Sequence, residues 1–156
     1  MLFWLAFLLL PYLIVLSLIP LERWRDWVPF GFFGGFLLEG VYQYLGINIF
    51  YLWIIRGTLL NSSGIPYLLL LAKIPLAAAF GYFFPAQGSR LIFYIPAFAL
   101  LSALQHLLLS YFGYWVNIRW GFGASFFLAM TNFSLLGLYL VLRPRIKPAP
   151  GLDDGN

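Results

Sequence analysis

Three ionisable side chains, Glu39, Lys73 and His106, lie inside segments of the chain that are otherwise almost entirely apolar. A carboxylate, an ammonium and an imidazole at one level could form an ion pair, bind a proton or a small solute, or transfer protons as acids and bases. A charged side chain in lipid costs roughly 2.5–3.5 kcal/mol on insertion scales, so each of these needs a partner or a function.

The composition indicates that lipid is the solvent for most of the chain. Of the 156 residues, 63% are hydrophobic and 9% are charged, whereas soluble proteins are about 25% charged. The absence of cysteine excludes disulfides and thiolate metal sites, and a single histidine excludes a multi-histidine metal site within one chain. We therefore expect no metal, no cofactor and no nucleic-acid partner. The partner we expect is the lipid bilayer, and the fold we predict is an all-α membrane protein.

Five apolar segments are long enough to cross a bilayer as helices. We predict one transmembrane domain over residues 1–142, with spans at about 2–19, 29–47, 66–84, 91–112 and 120–142. The first segment lacks a basic start and a small-residue cleavage site, so we interpret it as a retained span. Prolines mark two predicted helix starts, Pro29 and Pro66, and two predicted bends, Pro11 and Pro75.

The basic residues predict the orientation of these spans. One side of the membrane receives Arg23, Arg25, Arg90, Arg143, Arg145 and Lys147, and the other receives Arg56 and Arg119. Because short cytoplasmic loops are rich in lysine and arginine, we predict an outer N-terminus and a cytoplasmic C-terminus. Residues 143–156 are rich in proline and charge, and we expect a flexible cytoplasmic tail there.

The outer connection from residue 48 to residue 65 is the longest loop. Trp53, Arg56 and Asn61 lie in it, and aromatic rings beside an arginine suit the level of the lipid headgroups. We expect part of this loop to form a short interfacial helix.

The second and fourth spans resemble each other at an offset of 67 residues. Glu39 then falls where His106 falls, ten residues after a proline in each span. The third and fifth spans match more loosely, through Lys73 and Asn132. This pattern predicts a parallel repeat, and chance recurrence of boundary residues is the alternative.

Counting from the helix ends places the polar residues in one layer. Glu39, Lys73 and His106 each lie seven residues, or roughly 10 Å, from the outer end of a span, and Ser125 is near the same level. Gln43 projects with Glu39 because the two are four residues apart. We predict a buried polar layer formed by Glu39, Gln43, Lys73, Gln105, His106, Ser125 and Asn132. It is a structural ion pair of Glu39 with Lys73, a polar cavity open to the outside, or a contact with a partner subunit.

The sequence favours a protein that is not an enzyme. It carries no nucleophile elbow, phosphate-binding loop or HExxH motif. Our leading hypothesis is a small integral membrane component that assembles with itself or serves as an accessory subunit of a larger complex. The alternatives are a transporter or channel for a small solute or ion, and an enzyme acting on a lipid-linked substrate near Arg56 and Asn61.

Several features resemble a family of small multi-pass membrane proteins from spore-forming Firmicutes. They are the run from Trp27 to Gly31, the mid-span Glu39, the Tyr-x-Gly that closes the second and fourth spans, and the Tyr114-Trp115 loop. The resemblance covers roughly residues 21–142 and implies a bacterial cytoplasmic membrane, with no activity, substrate or cofactor. The chain departs from the family by carrying His106 where members often have an acidic residue.

Overall fold

A computed structural model describes residues 2–57, 60–85 and 88–142 of the chain. It is mostly helical, which confirms the predicted helical class. The α-helices are α1 (Leu2–Leu18), α2 (Leu21–Gly31), α3 (Glu39–Tyr44), α4 (Tyr67–Tyr82), α5 (Gly88–Tyr111) and α6 (Phe122–Leu142). The predicted tail, 143–156, lies outside the described residues.

The helix lengths support the five predicted spans only in part. Two helices in the described part of the chain, α5 and α6, are long and apolar enough to cross a membrane. By the same measure α1 and α4 are apolar but shorter, with 17 and 16 residues. The second predicted span is divided among α2, α3 and two π-helical segments, Phe32–Leu38 and Leu45–Ile49, so that residues 21–49 are helical throughout.

The second predicted span begins at the wrong residue. We expected a helix start at Pro29, but Pro29 lies inside α2, which begins eight residues earlier at Leu21. Pro20 precedes the helix with extended backbone angles (φ −55°, ψ 139°), and Glu22 lies in the first turn, where a negative charge stabilises a helix. The prediction at Pro66 is closer, since Pro66 is the residue before α4.

Short strands replace the interfacial helix that we expected between residues 48 and 65. Strand β1 (Trp53–Ile55) pairs antiparallel with β4 (Trp115–Asn117), and β2 (Asn61–Ser62) pairs with β3 (Ile65–Pro66). Aromatic and β-branched residues favour extended backbone, and each of the two loops supplies a strand partner for the other. The β1–β4 sheet therefore joins the loop that follows residues 21–49 to the loop that follows α5.

Helix α4 is the most buried helix and lies at the centre of the packing. It contacts α1, α2 and the Phe32–Leu38 segment, while α5 packs mainly against α6. A Cβ atom on Gly31 would lie 2.7 Å from the carbonyl oxygen of Ile74, and one on Gly35 would overlap the backbone of Lys73. Gly31 and Gly35, spaced as Gly-x-x-x-Gly, therefore allow a close approach of two backbones.

The ring contacts define two ends of the helix bundle. At one end, which we call the cap end, Phe3 lies 4.5 Å from Tyr114 and 4.9 Å from Phe112, beside the β1–β4 sheet. At the opposite end, Phe30 lies 6.1 Å from Tyr139, and the Tyr94 hydroxyl donates to the carbonyl of Phe80. The N-terminal residues and both sheet-forming loops therefore share one end.

Candidate functional site

The buried carboxylate of Glu39 is held by the side chain predicted to share its face. Nε2 of Gln43 donates to Oε1 of Glu39 at 2.9 Å, and Oε1 of Gln43 accepts from Nε1 of Trp53, also at 2.9 Å. Glu39 is 6% exposed and Gln43 1%. The i, i+4 spacing in α3 aims both side chains at the bundle interior, and Gln43 connects the carboxylate to β1.

His106 of α5 is the second member of the layer. Its Nε2 lies 3.7 Å from Oε1 of Glu39, and its ring stacks on the indole of Trp115 with 4.4 Å between the centroids. Neither ring nitrogen has a hydrogen-bond partner among the described residues. The ring is therefore oriented by stacking and by the carboxylate, and both of its nitrogens keep hydrogen-bonding capacity.

Lys73 of α4 is buried but takes a different partner from the one we predicted. Its Nζ donates to Oγ of Ser102 at 2.5 Å and lies 3.4 Å from the carbonyl oxygen of the same residue. Within the described part of the chain, the ion-pair contact of Glu39 within 4 Å is with His106. The direct Glu39–Lys73 pair is thus not formed, although Lys73 still acts electrostatically on both other groups.

Three indole rings cover the layer at the cap end, and we call them the tryptophan cap. Trp53 stacks on Trp115 at 5.0 Å and lies 5.1 Å from Trp120. Nε1 of Trp120 donates to Oγ of Ser125, which is buried at the start of α6. Pairing of β1 with β4 brings Trp53 and Trp115 together, so the sheet positions both the cap and the ring of His106.

Two small cavities adjoin the layer. One holds about 20 Å³ and is lined by Ala103, His106, Leu107, Ser110, Trp115, Asn117, Phe122 and Ser125. The other holds about 10 Å³ and is lined by Gly34, Gly35, Glu39, Lys73, Leu76, Ala77, Ser102, Asn132 and Phe133. A cavity of about 10–15 Å³ accommodates roughly one water molecule, so each has the size for a water and not for an organic solute.

The structure brings most of the predicted layer together. Glu39, Gln43 and His106 are in direct contact, Ser125 lines the cavity of His106, and Lys73 and Asn132 line the other cavity. Gln105 lines neither cavity, and its Oε1 is buried with no hydrogen-bond partner in the described structure. Gln105 precedes His106 by one residue, and the turn of about 100° between neighbouring residues of a helix points its side chain away from the layer.

The predicted loop site does not form as we expected. Trp53 is 2% exposed and belongs to the cap, so it is a core residue and not an interfacial one. Arg56 is exposed and lines neither cavity, and Asn61 lies in β2 opposite Pro66. Among the described residues, no group of three or more His, Cys, Asp or Glu side chains could hold a metal ion.

Sequence reasoning missed Ser102 as the partner of Lys73 and Trp115 as the support of His106. A signal for Trp115 was present, since Trp53-Ile54-Ile55 and Trp115-Val116 are short aromatic and β-branched runs typical of strands. Comparisons with protein-family models, with curated proteins and with solved structures found no match to this chain.

Proposed function

We propose that this chain is an integral membrane protein that crosses the bilayer five times and acts as a non-enzymatic component of a membrane assembly. The supporting observation is the placement of polar and apolar side chains. Glu39 and Lys73 are 6% and 4% exposed, whereas Leu2 and Phe93 are 81% and 79% exposed. This is the reverse of a water-soluble protein, in which charges are outside and large apolar side chains are mostly inside.

The exposed surfaces of the two longest helices support the same proposal. Only 22% of the apolar stretch of α5 and 33% of that of α6 is buried within the protein. A core helix of a soluble protein would be buried on most sides. The remaining apolar surface of these two helices therefore fits lipid or another membrane-embedded subunit.

The other three proposed crossings are α1, residues 21–49 and α4, and their length and their place in the sequence support them. At 1.5 Å per residue, α1 and α4 measure about 26 Å and 24 Å against a hydrocarbon thickness of about 30 Å. Apolar residues extend both segments, with Ile19 after α1 and Phe83 and Phe84 after α4. Residues 21–49 are helical over about 43 Å, which exceeds the required length and leaves the charged turn from Glu22 to Asp26 at the membrane surface.

The packing of the polar layer favours an assembly component over a solute pathway. Its cavities have room for about one water each. Toward the opposite end, the path from the layer meets the buried side chains of Phe80, Phe133 and Leu136, which pack in one apolar cluster. A solute route through the protein would need that cluster to open, whereas a component that assembles in the membrane needs only its outer apolar faces.

Native mass spectrometry of the protein released from mild detergent tests the proposed role. We expect a particle containing two or more copies of the chain or a second protein, and the same species after cross-linking in the intact membrane. Serial dilution of the detergent-solubilised sample is the control, because an artefact of crowded micelles dissociates on dilution. A strictly monomeric particle with no partner in both experiments contradicts the proposal.

A further inference from the structure

The ring of His106 is held in place by its neighbours, but its two nitrogens make no hydrogen bond within the described part of the chain. It is 6% exposed, its ring lies against Trp115, and neither nitrogen has a partner among the described residues. A neutral imidazole presents one donor and one acceptor, and an imidazolium presents two donors. Burying such groups unpaired is costly, so a small polar molecule is expected at the ring.

The 20 Å³ cavity beside the ring has the size and the chemistry for a water molecule. Ser125 Oγ accepts a hydrogen bond from Trp120, and Ser110 Oγ accepts one from Asn117 at 3.4 Å. Each hydroxyl therefore keeps its own proton to donate. With the ring of His106, the two hydroxyls provide the two to four partners that a buried water requires.

The cavity lies toward the cap end of the bundle. Ser110 is half-buried and Asn117 is exposed, so they connect the cavity to solvent at that end. On the other side of His106 is Glu39, followed by the smaller cavity at Lys73 and then the apolar cluster that includes Phe133. Water can therefore reach the layer from one end of the molecule.

We propose that His106 is a proton-uptake site, supplied through a water in this cavity from the cap end and balanced by the carboxylate of Glu39. A hydronium ion in the cavity transfers its proton to the imidazole and remains as water. The imidazolium then faces Oε1 of Glu39, which lies 3.7 Å from Nε2. The charged groups facing the ring are Glu39 from α3 and Lys73 from α4, while α6 presents Ser125 and β4 presents Trp115 and Asn117.

The proton site rests on the proposed membrane location, but not on the state of assembly. The test of the proton site measures the protonation state of the His106 ring. The test of the proposed role measures the mass of the solubilised particle. A monomeric particle whose histidine changes protonation state would contradict only the proposed role as an assembly component. An oligomer whose histidine never changes protonation state would contradict only the proton site.

Nuclear magnetic resonance of protein labelled with ¹⁵N only in histidine tests the proton site, because the chain has a single histidine. In lipid nanodiscs we expect one ring signal that moves reversibly from the neutral to the protonated form between about pH 5 and pH 8, the range in which histidine ordinarily titrates. Ser110→Leu and Asn117→Leu are the test variants, because each places an apolar side chain between solvent and the cavity at His106. Loss of one water-mediated hydrogen bond should slow the exchange of the ring proton with water about tenfold.

Thr131→Ala, an exposed change on α6 that lies on neither cavity, is the control and should exchange like the wild-type protein. If Ser110→Leu fails to fold, Asn117→Leu carries the test, since residue 117 is exposed. A wild-type ring that never changes protonation state overturns the proposal. So does an exchange rate that Asn117→Leu leaves unchanged in a folded protein.

Discussion

At the scale of single residues, Gln43 holds the polar layer and the tryptophan cap together. Its side-chain amide donates a hydrogen bond to Glu39 of the layer and accepts one from Trp53 of the cap. Trp53 is 2% exposed, and no solvent can replace the bond to its indole nitrogen. The amide of Gln43 therefore helps to fix the position of β1 relative to α3, together with the bond from the Leu52 N–H to the carbonyl of Gly46.

Gln43→Leu should destabilise the protein markedly. The substitution leaves the indole nitrogen of Trp53 unpaired and removes one hydrogen bond from Glu39. Each buried polar group left unpaired costs roughly 1–3 kcal/mol. Reversible unfolding in mixed detergent micelles, followed by circular dichroism, measures the change. Thr131→Ala is the control, because its hydroxyl bonds to the carbonyl of Phe127 at an exposed site. Equal stability of the two variants would show that the Gln43 bridge contributes nothing.

Sequence reasoning reached the members of the layer but not all of their pairings. Counting along helices gives depth, and the i, i+4 rule gives a shared face, which placed Glu39 and Gln43 correctly. Neither fixes how two helices are rotated against each other. That rotation decides that Lys73 meets Ser102 and not Glu39. Gln105 shows the same limit, since one residue of rotation along α5 removes it from the layer.

At the scale of elements, the helical run over residues 21–49 is shaped by its contact with α4. Two π-helical segments flank the α-helical turn that carries Glu39 and Gln43. The first contains Gly34 and Gly35, and there the backbone comes so close to α4 that no side chain fits at Gly35. Such π segments recur at functional sites, and this one sets the position of Glu39.

Gly35→Ala should therefore destabilise the bundle, whereas Gly40→Ala should not. A methyl group on Gly35 overlaps the backbone of Lys73, which cannot move without moving α4. Overpacking of this kind costs typically about 1–3 kcal/mol. On Gly40 the same methyl group finds its nearest neighbour, Cδ1 of Leu70, at 3.5 Å, which is an ordinary contact. There the change should be neutral or add up to roughly 1 kcal/mol through helix propensity.

Micellar unfolding of the two glycine variants side by side gives the comparison directly. Equal stability would contradict the close approach at Gly35. We did not predict the β1–β4 sheet from the sequence. A strand of three residues has too weak a pattern to identify its partner, and it is the packing of the intervening helices that brings the two strands together.

At the scale of the whole molecule, arginine residues lie at both ends of the helix bundle. Arg56 and Arg119 lie next to the β1–β4 sheet, since their backbone N–H groups bond to Tyr114 and Leu52. Arg23 and Arg25 precede the turn that packs at the opposite end, where Trp27 covers Gly81. The predicted orientation, with the cap end outside, would place Arg23, Arg25 and Arg90 on the cytoplasmic side, where basic residues are in excess in short loops.

Labelling of single introduced cysteines with a membrane-impermeant maleimide on intact cells tests three of the five proposed crossings, and the chain has no native cysteine to interfere. Suitable exposed positions are Glu22, Ser62, Ser89 and Ile118. We expect Ser62→Cys and Ile118→Cys to react in intact cells, and Glu22→Cys and Ser89→Cys to react only after permeabilisation. The helical run that ends at residue 49 lies between positions 22 and 62, α4 lies between 62 and 89, and α5 lies between 89 and 118. If only α5 and α6 crossed the bilayer, positions 22, 62 and 89 would lie on one side and react alike, and that result would reject the five-span architecture.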